Sequence, residues 1–246
     1  MDAVRQEQPE ERDLAAIVLA AGHGRRMGVP KALLSIDGAP LVERHVLRLL
    51  EIGCAPVIVV LRPEVAADVG PRLQGLGPVC IAPARTSSQS ASLVAGTRAL
   101  TRPLSGRDES PADVAPGSLH ARGKILITPV DMLPPSPTTL QRLTGALVPP
   151  LLAVTPTYRG RGGHPVVMRA EVILARVAGP SPLPSLRDVL EDLGPRRARV
   201  EVDDASVLGD FDAPSDLPAP LELLTGPGGS GRRRSASRRF PRSQPR

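Results

Sequence analysis

Short continuous apolar runs alternate along the chain with stretches whose apolar residues recur every three or four positions. LAAIVLA (14–20), PVIVVL (56–61), VCIAP (79–83) and KILITPVDM (124–132) have the character of strands covered on both faces. PLVERHVLRLLEIG places Leu41, Val42, Val46, Leu49 and Leu50 on one helical face, with Pro40 at the start and Gly53 as the stop. SQSASLVAGTRAL predicts a helix capped by Ser88 or Ser90. SPTTLQRLTGAL predicts another, with Ser136 as cap and Pro137 in the first turn. PSLRDVLEDLG completes the helical set, and LLAVTPTY, HPVVM and ARVEVDD read as later strands. Strands alternating with helices predict an α/β sheet with right-handed crossovers. The stretch 101–123 lacks periodicity and is rich in Pro, Ser, Gly and charge. It is expected to be a flexible insertion, because structureless loops of that length are uncommon inside a compact domain.

Composition narrows the picture. A chain of 246 residues suffices for one large domain or two small ones. Apolar residues make up 41% but aromatics only 1%, so the core must be built from Leu, Val, Ala and Ile. No apolar run approaches the roughly 18 residues of a membrane span. The polar, acidic start MDAVRQEQPEERD resembles neither a signal peptide nor a transit peptide. Cys54 and Cys80 lie in or beside apolar segments without a CxxC pattern, and are expected to be buried free thiols. A cytoplasmic location is the resulting expectation, with no membrane partner.

The net charge of +6 would suggest nucleic acid if it were spread over the fold. It is not: the segment 226–246 holds seven arginines and no acid, more than the whole excess. Residues 1–13 are expected to be a disordered N-terminal segment, 14–224 a single domain and 225–246 a disordered basic tail. The tail reads as solvated chain or as a nonspecific polyanion contact. With almost no aromatic residues to stack on bases, specific nucleic-acid binding is not expected.

The candidate chemistry begins in LAAGHGRRMGVPKALL (19–34), directly after the first strand. This is not a P-loop, since Lys31 does not follow a glycine and Ala32 stands where Ser or Thr is required. Nor is it GxGxxG, since Met27 occupies the third glycine position. The physical elements of a phosphate site nevertheless remain. Gly22 and Gly24 let backbone amides approach an anion, and Arg25, Arg26 and Lys31 can neutralise a polyphosphate. Ligands of open α/β sheets bind at such strand ends. Asp131, closing KILITPVD, is a carboxylate suited to a cleft and to magnesium, or else an ordinary cap. Asp210 and Asp212 in GDFDAP offer a second carboxylate on one side of an extended segment.

Taken together, IVLAAGHGRRMGVPKALLSIDGAPLVERHVLRLLEIGCAPVIVVL resembles the N-terminus of the MobA-like NTP transferase family, in particular its molybdenum cofactor cytidylyltransferase branch. ITPVDML, RGRGGHPVVM and VEVDDASVLGDFDAPSDL resemble later family segments in the expected order, so the likeness covers about 14–217. The resemblance implies a three-layer α/β/α Rossmann-like nucleotidyltransferase fold with a mainly parallel mixed sheet. It implies Mg2+-dependent transfer of a nucleoside monophosphate from an NTP to a phosphorylated acceptor, with pyrophosphate released. Catalytic roles fall to Arg25, Lys31 and Asp131. Nucleotide contacts fall to Leu19, Ala20, Ala21, Gly22, Gly24, Arg25, Lys31, Ser88 and Ser90. Asp131 and Asp212 are the implied metal ligands, and His164 lies on the acceptor side. Within the branch LAAG accompanies CTP and LAGG accompanies GTP, so Ala20 and Ala21 imply CTP.

The implied function is CTP:molybdopterin cytidylyl transfer in molybdenum cofactor biosynthesis, with a molybdoenzyme or its chaperone as a further contact. The alternatives are transfer to a sugar or alditol phosphate, and a noncatalytic nucleotide-binding accessory role. The segment ARTSSQSASLVAG lacks the glycine that the family usually carries just before its serines. Base recognition is accordingly less defined by the sequence than phosphate recognition.

Overall fold

The leading apolar run forms β1 (Leu14–Ala20), and after the glycine loop come the short β2 (Leu34–Ile36) and β3 (Ala39–Pro40). The chain continues through α1 (Leu41–Glu51), β4 (Val57–Leu61), α2 (Pro63–Gln74), β5 (Val79–Pro83) and α3 (Gln89–Leu100). Next are β6 (Lys124–Pro129), α4 (Pro137–Ala146), β7 (Ala153–Tyr158), β8 (Arg161–Gly162), β9 (Val166–Arg169) and α5 (Ala170–Ala178). α6 (Leu186–Asp192), β10 (Arg197–Glu201) and β11 (Leu221–Leu223) complete the set. This computed structural model describes residues 14–24, 28–36, 38–101, 123–179, 185–209 and 221–223. The expected terminal segments, the interior of the expected insertion, Arg25, Arg26, Asp210 and Asp212 lie outside the described residues.

The main sheet has the order β10-β7-β9-β6-β1-β4-β5, with β8 paired to the end of β7. β5, β4, β1 and β6 run parallel, β9 is antiparallel to both its neighbours, and β10 runs parallel to β7. A small separate sheet joins β11, β2 and β3. Alternation along β1 sorts the layers. Ala16, Val18 and Ala20 face a core shared with α1, α2 and α4, whereas Ala15, Ile17 and Leu19 face one shared with α3, α5 and α6. The fold is therefore the expected three-layer α/β/α arrangement around a large, mostly parallel sheet.

Two helices were not anticipated by periodicity. α2 begins with Pro63 and carries Pro71 inside it, which weakens its helical signature. α5 follows β9 directly, and Arg169 at its N-cap makes no side-chain capping bond. The strand expected over 124–132 is shorter than its apolar run: β6 stops at Pro129, whose nitrogen cannot donate to a ladder. Val130 N still bonds Leu19 O at 3.1 Å, so the next residue, Asp131, enters a bend held against the end of β1.

The connectivity determines where a ligand can sit. From β1 the chain adds β4 and then β5 on one side, then crosses back to β6 on the other. The strand order thus reverses between β1 and β6, and the crevice outside such a switch point is where open α/β sheets bind ligands.

Candidate active site

Lys31 and Asp131 meet at this switch point. Lys31 begins a single 3-10 turn at 31–33 that returns the glycine loop to the sheet, and Asp131 follows β6. Their side chains pair at 3.0 Å, with 15% and 30% of their surfaces exposed. Both line a cleft of about 360 Å³, together with Leu19, Ala21, Gly22 and His23 of the loop. Gly24 adopts φ +59°, and a Cβ there would fall on the carbonyl of Val29. Glycine at 24 is therefore required to close the loop, in addition to any contact with an anion.

The opposite wall is the start of α3. Ser88 caps this helix, accepting from Ala91 N at 3.1 Å. Thr86, Ser87, Ser88, Gln89 and Ser92 line the cleft, and the hydroxyls of Thr86 and Ser92 share a 2.6 Å hydrogen bond. A helix N-terminus beside a lysine favours phosphate. Arg62, just after β4, donates to His23 Nε2 at 2.8 Å and is itself anchored by Glu64. His23, which lines the cleft, is thus braced by a second cation beside Lys31.

Asp131 is held from behind. His45 of α1 is buried, and its ring nitrogen Nε2 lies 2.8 Å from Met132 O. A carbonyl only accepts, so Nε2 carries the proton. Burial pushes the His45 pKa down to about 4, overcoming the upward pulls of the Met132 hydrogen bond and the Asp131 charge. The ring is therefore neutral near pH 7 and fixes the turn without adding charge.

A second cavity of about 400 Å³ adjoins the first, and Gln89 lines both. His164 lies in this second cavity, not in the cleft with Lys31. Its loop is pinned by His164 N→Val207 O at 2.9 Å and Gly163 N→Pro156 O at 3.1 Å. A Cβ at Gly163 would collide with Val207 O, so glycine at 163 permits a backbone-to-backbone approach. Asp204 steadies the same corner, accepting from Ser136 N at 2.8 Å, Thr139 Oγ1 at 2.8 Å and Ser206 N at 3.1 Å. Partial burial raises the Asp204 pKa, but hydrogen bonds, foremost the one donated by the Ser206 hydroxyl, outweigh it and hold the carboxyl below its ordinary range.

The structure therefore brings Leu19, Ala21, Gly22, Lys31, Ser88 and Asp131 to one cleft. Ala20 is buried on the other side of β1 in the core with α1, and Ser90, half-buried in α3, is not among the residues lining the cleft. Ser92 reaches it one turn of α3 after Ser88, as helical spacing allows. Among the described residues no group of three or more His, Cys, Asp or Glu could hold a metal. One carboxylate beside a phosphate site is nonetheless a donor set that magnesium accepts, completed by phosphate oxygens and water. Among the described residues no helix is long and apolar enough to cross a membrane.

Comparison with known proteins gives a consistent result. A sequence profile of the MobA-like NTP transferase domain matches residues 16–201. An Opitutus terrae protein named "Probable molybdenum cofactor guanylyltransferase" is 49% identical over 51 residues, 21% of this chain and 25% of that one. A Mycobacterium tuberculosis protein of the same name is 39% identical over 98 residues, 37% of this chain and 47% of that one. The matched stretch thus spans less than half the length of these curated relatives. Among solved structures, a nucleotidyl transferase from Methanothermobacter superposes with TM-score 0.60 at 24% identity, covering 82% of this chain and 93% of that one. A 4-diphosphocytidyl-2C-methyl-D-erythritol synthase from Anaerococcus prevotii gives TM-score 0.60 at 13% identity, covering 84% and 93%. At these identities the solved structures speak for the fold alone.

Proposed function

The chain belongs to the MobA-like NTP transferase family, and from that premise we propose that it transfers a nucleoside monophosphate from CTP to molybdopterin, releasing pyrophosphate. The observation that carries the reading is the Lys31–Asp131 pair, 3.0 Å apart in a cleft between the glycine loop and the N-terminal turn of α3.

In this reaction an oxygen of the acceptor's phosphate forms a bond to the α-phosphorus. The bond between the α-phosphorus and the bridging oxygen breaks, and its electron pair leaves with pyrophosphate. The nucleophile is already an anion, so no side chain has to take a proton from it. The protein's task is to bring anions together and to stabilise charge on the leaving group. Lys31, the amides of 21–24 and Arg25 hold the triphosphate in this reading. Asp131, with Asp212, would hold magnesium, which supplies charge neutralisation on phosphate oxygens when bound. His45, through Met132, keeps the Asp131 turn in place.

Ala20 and Ala21 support CTP, whereas the names of the Opitutus and mycobacterial relatives favour GTP as the second reading. Pyrophosphate release from each of four NTPs, against molybdopterin and a panel of sugar and alditol phosphates, tests the proposal. CTP with molybdopterin is the expected productive pair. A preference for GTP of tenfold or more, about 1.4 kcal/mol, would replace the cytidylyl reading and keep the transferase. Release with a sugar phosphate alone would move the acceptor, and no release with any pair would leave a noncatalytic accessory role.

A further inference from the structure

His23 has no part in the reaction above, yet the sheet delivers a fixed partner to it. β1 and β4 run parallel with Ala20 opposite Leu61, so Ala21 and Arg62 leave the sheet side by side. The Arg62 backbone is firmly placed. It is the N-cap of α2, followed by Pro63 in the first turn, and its carbonyl accepts from Ala66 N at 2.8 Å. Its side chain is only 12% exposed. Nε and one terminal nitrogen grip Glu64 Oε1 at 2.7 and 2.6 Å, and the other terminal nitrogen donates to His23 Nε2 at 2.8 Å. Arg85, just after β5, reaches the second oxygen of Glu64 at 3.4 Å. Thr86, Ser87 and Ser88 follow Arg85 directly and line the opposite wall of the cleft. The chain His23–Arg62–Glu64–Arg85 thus links the glycine loop to the start of α3.

This bracing decides where the histidine carries its proton. A guanidinium only donates, so Nε2 accepts and holds no proton. The proton of the ring is then on Nδ1, fixed there by the bond that the other nitrogen makes. Among the described residues nothing accepts from that Nδ1–H. His23 lines the cleft, whereas Arg62 and Glu64 stand outside its lining. The ring therefore has its acceptor nitrogen tied to Arg62 and only a donor left for a ligand. Lys31 and the N-terminal turn of α3 share the cleft with it, and both favour an oxyanion. An unbraced imidazole would exchange its proton between the two nitrogens. Part of the population would then turn a lone pair toward a phosphate oxygen and repel it.

We propose, resting on the transferase reading, that His23 is a further phosphate-binding residue, donating from Nδ1 to an oxygen of the triphosphate, and that Arg62, held by Glu64, is the positioning residue that fixes its tautomer. The test uses the full chain with H23A, H23N, H23Q and R62M. Inorganic tripolyphosphate and CTP are the probes, with binding read by calorimetry and melting temperature as the control. Nitrogen NMR of histidine-labelled protein reads the His23 tautomer. An Asn amide nitrogen falls near the place of Nδ1, and a Gln amide nitrogen near that of Nε2. H23A and H23Q are expected to weaken both probes about tenfold, the usual loss for one hydrogen bond to a charged group, whereas H23N stays close to wild type. R62M is expected to weaken both severalfold and to turn the Nδ1–H tautomer into a mixture. The contrast between H23N and H23Q covers the case in which H23A misfolds. Equal affinity of wild type and H23A overturns the proposal, as does H23Q binding as well as H23N, or an unchanged tautomer in R62M. A loss for CTP with none for tripolyphosphate moves the contact to the nucleoside and overturns it too. His23-dependent tripolyphosphate binding without pyrophosphate release from any NTP supports the donor and sinks the reaction. Pyrophosphate release with unchanged probe affinity in H23A sinks the donor and leaves the transferase intact.

Discussion

Stability should depend on pH through His45 in a way that can be isolated. Its folded-state pKa is lowered from 6.5 to about 4, chiefly by burial. As pH falls below 6.5 the unfolded chain takes up a proton on this residue and the folded chain does not. Stability is therefore unaffected above that pH and declines between about 6.5 and 4. At 1.36 kcal/mol per pKa unit, the full loss is about 3 kcal/mol, of which about 2 kcal/mol has gone by pH 5. That is a sizeable part of the roughly 5–15 kcal/mol that holds a domain folded. Urea unfolding at pH 7 and pH 5 should be run on wild type and on His45→Phe. The variant loses its hydrogen bond to Met132 O, and at pH 7 should be less stable by about 1–3 kcal/mol. Between pH 7 and 5, however, it should lose about 2 kcal/mol less than wild type, since contributions from the carboxylates cancel in the subtraction. Equal losses in the two proteins would refute the reasoning.

Lys31→Ala should lower kcat by about 10²–10³-fold, the usual cost of one preorganised charge contact, with little change in melting temperature; near-normal turnover in a steady-state pyrophosphate assay would contradict its role. Asp131→Asn should raise the magnesium concentration needed for half-maximal rate, read from a magnesium titration at saturating NTP, and an unchanged titration would remove Asp131 from the metal. Gly24→Ala should raise the KM for NTP, because the new Cβ meets the Val29 carbonyl in a backbone region that disfavours side chains by about 1–2 kcal/mol. Asp204→Ala should cost about 2–3 kcal/mol in urea unfolding at pH 7, since it leaves Ser136 N, Thr139 Oγ1 and Ser206 N without their shared acceptor.

The sequence displayed the parts of this molecule that depend on neighbouring residues. β1, β4 and β6 are continuous apolar runs because helices cover both faces, and each was legible for that reason. Ser88 and Ser136 cap their helices through bonds to residues three positions on, which is a local grammar. Lys31 and Asp131 were legible one at a time, as a cation in a glycine loop and an acid closing a strand. Their 3.0 Å pairing spans a hundred positions and needs the β1–β6 register to exist. α2 and α5 were lost to interior proline and an absent cap. Arg62, Ser92 and Arg197 were missed for a different reason. Arg62 and Arg197 stand in stretches with no motif and are placed by sheet order, whereas Ser92 lies in the serine-rich helix start that the sequence did single out, one turn beyond its cap. Arg-Ala-Arg in β10 looks like an ordinary exposed edge in one dimension. Only the parallel pairing with β7 turns both arginines toward Thr155 and α6, and only the switch between β1 and β6 sets that cavity beside the cleft. The sequence thus reports the Lys31 and Asp131 side of the cleft, built on one loop and one strand end. The adjoining cavity is assembled from six separate segments, whose convergence no spacing in the sequence records.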